Sequence, residues 1–326
     1  MKIEIAFHCS AVFVFHIKTS LLFIILLFSA GLSAEQMNFD KEDQGDSYQF
    51  HYTWLDIDQK QQQMSFSIAK SALFSPFRKF RAYKSDFASR HVQREIRKSL
   101  ANKPLKDVTI SFNSRDGSAQ LSSTKPSALS DATKRIRNEE QEFLDAYLKE
   151  QFYHIFTTHD GAQGVKPDHV SIAQKSVDAL APTRDIILEI VNVRNIRKVT
   201  NFVLSFVQSI PYSQLESRVD SSGAGFNVPT KVLWENRGDC DSKMTLTAAM
   251  LRSLMPRINM IMVYIDQHAF IGLEILPEGN DLTVNHQGRT FVLADPTGPR
   301  LMPLGEVSFD SEQAIKSGHY VAELFN

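Results

Sequence analysis

Cysteine is almost absent from this chain, with two among 326 residues. Cys9 falls in a leading segment expected to be removed, so Cys240 is the single thiol left, and an internal disulfide framework is excluded. That thiol is therefore either a buried, inert side chain or an exposed, reactive one. Long apolar runs are missing as well: "LLFIILLF" (residues 21 to 28) falls short of the roughly 20 residues a membrane span needs, and no second candidate follows. Neither charge is in excess, with 36 Lys+Arg against 37 Asp+Glu, which gives no sign of a nucleic-acid partner. There is no internal repeat and no low-complexity tract. His154, His159, His169 and Asp160 match no zinc or calcium spacing, so neither a metal nor a cofactor is expected.

What is present begins with a leader. Lys2 and Lys18 precede the apolar run, and "SAGLSA" ends at Ala34. A charged head, a short apolar centre and a small-residue exit describe a secretory signal over residues 1–34, cut between Gly31 and Ala34. An uncleaved anchor is the alternative, because the weaker apolar run before Lys18 lengthens the segment. "AFHC" lacks the context of a lipidated Cys9. Cleavage removes two basic residues and one acidic residue, leaving 34 against 36 and a net charge of −2. The expected location is periplasmic or secreted, with no stable membrane span after cleavage and partners within the cell envelope. About 290 remaining residues favour two domains.

Residues 35–47 are polar and read as a flexible lead-in. Tyr48, Phe50, Tyr52 and Trp54 alternate with polar residues, as do Met64, Phe66 and Ile68, which predicts a hairpin with its aromatics packed in a core. Val92, Ile96 and Leu100 follow the spacing of a helix. Val108, Ile110 and Phe112, then Asp116-Gly117, then "SAQLS" suggest a second hairpin. A helix follows with Ser130 as N-cap and Leu144, Leu148, Phe152 and Ile155 on one stripe. Residues 35–165 are thus expected to form a smaller α+β domain of unassigned role, with residues 158–171 as the boundary and 166–326 as a second domain. The basic run "FRKFRAYK" (77 to 84) reads as a solvated face, with contact to an anionic surface as the alternative.

In the second half, Ile196, Val199, Val203, Phe206 and Ile210 mark a helix stopped by Pro211, and a short helical stretch holds Trp234. In "NRGDCDSKMTLTAAML" (236 to 251), Gly238 permits a turn, Asp239 is a favoured cap, and Met244, Ala248, Leu251 and Met255 repeat at helical spacing. Cys240 thus falls on a first helical turn, where the helix dipole lowers a thiol pKa; Asp239 and Asp241 oppose that effect. "DQHAFIGLEI" puts His268 at the head of a strand, and "FVLADPTGP" puts Asp295 at the end of another. If the strands are antiparallel neighbours, His268 and Asp295 come within hydrogen-bond reach. Nucleophile, base and orienting carboxylate are then all available. Asp266 is a rival orienter.

"RGDCDSKMTLTAAMLRSL", "QHAFIGLEI" and "FVLADPTG", in this order, resemble the transglutaminase-like superfamily of papain-related Cys-His-Asp proteins, and "FVLSFVQSIPYS" resembles the segment preceding the nucleophile in bacterial members. The likeness covers residues 185 to about 305. It implies a papain-like α+β domain, with Cys240 as nucleophile, His268 as general base and acid, and Asp295 as the orienting group. Animal cross-linking members carry Gly-Gln-Cys-Trp where this chain has Gly-Asp-Cys-Asp, which points to the bacterial exported branch. The implied reaction is attack on an amide of a protein or peptide, through a thioester. Hydrolysis is preferred, with acyl transfer to an amine or a non-catalytic binding module as alternatives. Trp234, Asn236 and Gln208 are the side-chain candidates for oxyanion donors, beside the N–H of Cys240.

Overall fold

The computed structural model describes residues 34–112, 119–191, 194–215 and 225–325. The expected leader, except Ala34, and the Asp116-Gly117 turn lie outside the described residues. The chain is mixed α+β with antiparallel sheets throughout.

In chain order the strands are β1 (Gln36–Asp43), β2 (Ser47–Leu55), β3 (Gln61–Ala69), β4 (Thr109–Phe112), β5 (Ala119–Ser122), β6 (Tyr153–Thr157), β7 (Gln163–Pro167), β8 (Met260–Ile265), β9 (His268–Leu273), β10 (Thr283–His286), β11 (Arg289–Ala294) and β12 (Val321–Phe325). The helices are α1 (Lys70–Phe74), α2 (Ser85–Asn102), α3 (Pro126–Glu150), α4 (His169–Ser176), α5 (Ala181–Ile190), α6 (Ile196–Ser209), α7 (Pro229–Glu235), α8 (Cys240–Leu254) and α9 (Phe309–Lys316). A three-stranded meander β1-β2-β3, a five-stranded sheet ordered β10-β11-β9-β8-β12 and two hairpins make up the β-structure.

Leu32–Asn326 forms one compact unit. Its principal core takes Phe50, Tyr52 and Trp54 from β2 and Met64, Phe66 and Ile68 from β3, all nearly inaccessible to water, as period-two alternation requires. These meet α6, α8 and one face of the five-stranded sheet. Trp54 packs on Phe202 and Phe206 of α6, and its Nε1 donates to Ser205 Oγ at 3.1 Å. Tyr52 OH donates to the Leu233 carbonyl. The other face of the large sheet buries Ile261, Val263, Phe270, Phe291 and Leu293 with Ile315 of α9. Strands covered on both faces read as continuous apolar runs, which is why "INMIMVYI" shows no alternation.

Four local expectations are corrected. The lead-in at 35–47 contains β1, whose residues pair with Tyr48 through Trp54 of β2. It is an edge strand held by backbone bonds, with most side chains in water, and so carries no apolar signature. The third helix begins at Pro126 instead of after Ser130, since a proline's fixed φ suits a first helical turn. That helix stops at Glu150; Phe152 adopts a positive φ and Ile155 belongs to β6, so the four-residue stripe spans two elements. The segment 158–171 holds a turn, β7 and the start of α4 in place of an irregular linker. Among the described residues no helix is long and apolar enough to cross a membrane.

Candidate functional site

The site is built around the start of α8. Asp239 caps this helix, its Oδ1 accepting from the Ser242 N–H at 2.9 Å and also from Ser242 Oγ. Cys240 is thereby fixed as the first helical residue, half-buried and unpaired with any other cysteine. Its single S–H has two weak acceptors in reach, Asp241 Oδ1 at 3.6 Å and the carbonyl of Gln267 at 3.9 Å. Gln267 lies in the tight β8–β9 turn, with a positive φ, immediately before His268. The sulfur therefore sits against the turn that presents the imidazole.

His268 opens β9, and Asp295 directly follows β11. These strands pair antiparallel, Ala294 opposite Ile271 and Leu293 opposite Gly272, so the entrance of one adjoins the exit of the other. His268 Nε2 donates to Asp295 Oδ2 at 2.8 Å, and Nδ1 is the ring nitrogen left by that contact. Asp295 is 2 % exposed; its Oδ1 accepts from the Thr297 N–H at 2.9 Å. Asp266 lies in the exposed turn, outside that pairing. Beside His268 opens a cavity of about 370 Å³, with Asp266, Ser308 and Asp310 among its walls.

The thiol is poised in its protonated form. Burial pushes the Cys240 pKa well up, and Asp241 and then Asp239 push it further. Asp241 is itself raised, by burial first, with Lys166 and His268 acting against. Asp239 is pushed up to about 7 by burial and by Asp241. Desolvation and two adjacent carboxylates thus act against the dipole effect expected from the helix start.

Of the three side-chain donors proposed for an oxyanion, Gln208 and Asn236 are held elsewhere. Gln208 spends both N–H groups on the carbonyls of Asp295 and Met302, at 2.7 and 2.9 Å, and accepts from the Met302 N–H. It braces the loop behind Asp295. Asn236, in the left-handed conformation after α7, exchanges two hydrogen bonds with the side chain of Gln36. Trp234 meets Tyr48 and Phe74 edge to face, and the ammonium of Lys41 stands 3.6 Å from the centre of its ring. Strand β1, whose polar composition gave no warning, covers both Asn236 and Trp234.

Lys243 was not singled out by the sequence, yet it lies at the centre of the site's support. It is fully buried, and its Nζ donates to the carbonyls of Ile210 and Thr297. Burial brings its pKa down from 10.5 to about 7, with Asp295 and Asp239 opposing. Its place one turn after Cys240, on a helix otherwise buried all round, was the available signal: a lysine there needs a reason. Behind Asp241, His169 is wholly buried with Nδ1 at 3.0 Å from Tyr264 OH and Nε2 at 3.7 Å from Asp241 Oδ2; burial lowers its pKa well below the usual value. His159 stacks on His319, and His154 pairs with Glu323. Among the described residues no group of three or more His, Cys, Asp or Glu is arranged to hold a metal ion.

Comparison with protein-family models, with curated proteins and with solved structures finds no match in any of the three.

Proposed function

We propose that this chain is an exported cysteine-dependent enzyme of transglutaminase-like, papain-related type, acting on amide bonds of envelope proteins or peptides. The observation carrying this reading is the buried Asp295 bonded to His268 at 2.8 Å, with the Cys240 sulfur lodged against the turn from which His268 emerges. An orienting carboxylate fixes the ring so that Nδ1 is the nitrogen available to the thiol. Because the resting thiol is protonated, His268 takes its proton as sulfur attacks the carbonyl, in place of a standing ion pair. The oxyanion is met by N–H groups at the start of α8, which lack helical acceptors. His268 then protonates the departing amine, and water attacks the thioester. An amine in place of water would give acyl transfer.

One observation favours a second reading, a binding module that keeps the arrangement without turnover. Asp239 and Asp241 both oppose the thiolate. Mass spectrometry of envelope extract treated with the full chain or with Cys240→Ala separates these outcomes. New termini made only by the native chain indicate hydrolysis, and isopeptide links indicate transfer. Identical product sets would remove the catalytic reading in favour of the binding module. His268→Ala is expected to lose roughly 100-fold or more of any activity found.

A further inference from the structure

The basic run at 77–84 is organised as an anchored strap. Phe77 and Phe80 point inward, each 7 % exposed, into a cluster with Leu148, Tyr153 and Phe226. Tyr153 OH donates to the Arg81 carbonyl at 2.7 Å. Between these anchors Arg78, Lys79, Arg81 and Lys84 stand in water. From Arg78 to Lys98 there are eight Lys and Arg against Asp86 and Glu95, a local charge of +6 in a chain of net charge −1. Lys79 is neutralised by Glu150 at 2.7 Å, whereas Arg78, Arg81 and Lys84 have no described carboxylate as ion-pair partner.

Two cavities flank the strap and share Arg81. One, of about 440 Å³, is walled by Tyr83, Phe87, Tyr147 and Tyr153 with Lys84. The other, of about 350 Å³, is walled by Phe74, Phe226 and Trp234 with Arg78 and Lys231. Glu235, also on its wall, is occupied by Lys231 and Arg237. Phe74 and Phe87 stand about half exposed at the rims. The wall of the second cavity is tied to the helix that carries Cys240: Asn227, between its wall residues Phe226 and Val228, donates through its N–H to Ser242 Oγ at 2.8 Å, and Ser242 binds the α8 cap.

We propose that this paired, aromatic-walled groove binds an extended acidic polypeptide. Arg78 stands in a turn closed by the Phe80 N–H on the Phe77 carbonyl, and Arg81 and Lys84 follow in the irregular stretch before α2, so several cations face an acidic chain laid along the strap. Aromatic walls take up the intervening side chains. A flat lipid surface would reach the rim phenylalanines and not the concave walls, so a peptide fits the shape better than a bilayer. The binding stands independently of Cys240, while delivery of that polypeptide to Cys240 rests on the function proposed above.

The test uses a fluorescent Glu-Tyr copolymer peptide and the full chain carrying Cys240→Ala. Saturable binding, weakening steeply with salt, is expected. Arg78→Glu with Arg81→Glu should reduce affinity tenfold or more, while Arg94→Glu with Lys98→Glu, an equal charge change outside both cavities, should change it less than threefold. Absence of binding, equal loss in the two double variants, or binding to phosphatidylglycerol vesicles without binding to the peptide would overturn the proposal. Peptide bound by Cys240→Ala but never processed by the native chain leaves the groove standing and the catalytic reading fallen. Processing that ignores Arg78→Glu with Arg81→Glu does the reverse.

Discussion

At Cys240, Asp241 and Lys243, three residues within one helical turn, charge and burial compete directly. Asp241→Asn removes one of the two carboxylates that hold the thiol protonated, so iodoacetamide should label Cys240 severalfold faster at neutral pH. Each unit of pKa changes the thiolate fraction about tenfold. Labelling unchanged by that substitution would mean that Asp241 does not help to hold the proton on the sulfur. Lys243 and Asp239 make opposite contributions to stability. Lys243, brought down to about 7, has lost in the folded chain a proton that the unfolded chain keeps to 10.5; its contribution to stability therefore rises with pH across that window. Asp239, pushed up to about 7 from 3.8, holds a proton the unfolded chain has released, so its contribution falls between those values. Urea unfolding of Lys243→Met should lose the rising limb above pH 7, an effect of up to roughly 5 kcal/mol, and Asp239→Asn should lose the falling limb below it.

Single elements decide whether these side chains meet. The loop after β11 passes so close to α6 that a Cβ on Gly298, whose φ is +64°, would stand 2.3 Å from the Gln208 carbonyl oxygen. Gly298→Ala should therefore cost about 3 kcal/mol or more and loosen Asp295, read as a lowered midpoint in thermal melts. The starts of α8 and β9 and the end of β11 were legible because caps, proline and glycine announce them locally: Asp239 before Cys240, Pro296 after Asp295. Strand β1 was not, since an edge strand is specified by its partner's free backbone groups and only Phe39 of its side chains reaches the core. The commitments of Gln208 and Asn236 were equally hidden, because Met302 and Gln36 lie far away in sequence.

Across the whole molecule, one principal core takes residues from β2, α6, α8 and β9 together. Trp54 lies remote in sequence from Cys240, yet it packs on the helix that carries Gln208, the brace of Asp295. Trp54→Ala should cost about 3–5 kcal/mol and lower the thermal midpoint of the entire Leu32–Asn326 unit. Calorimetry should show one transition for that unit, in the native chain and in the variant alike. Two separable transitions would show that the shared core does not couple its parts.

The amino-acid order by itself determined where helices and strands begin around Cys240, His268 and Asp295, because capping, turn chemistry and periodicity act over a few residues. Tertiary structure alone decided that His268 bonds Asp295, that β1 takes up the Asn236 amide and lays Lys41 over the Trp234 ring, and that the thiol rests protonated. Each of those depends on desolvation or on partners brought together only when the chain closes on itself, and neither is written in any short stretch of sequence.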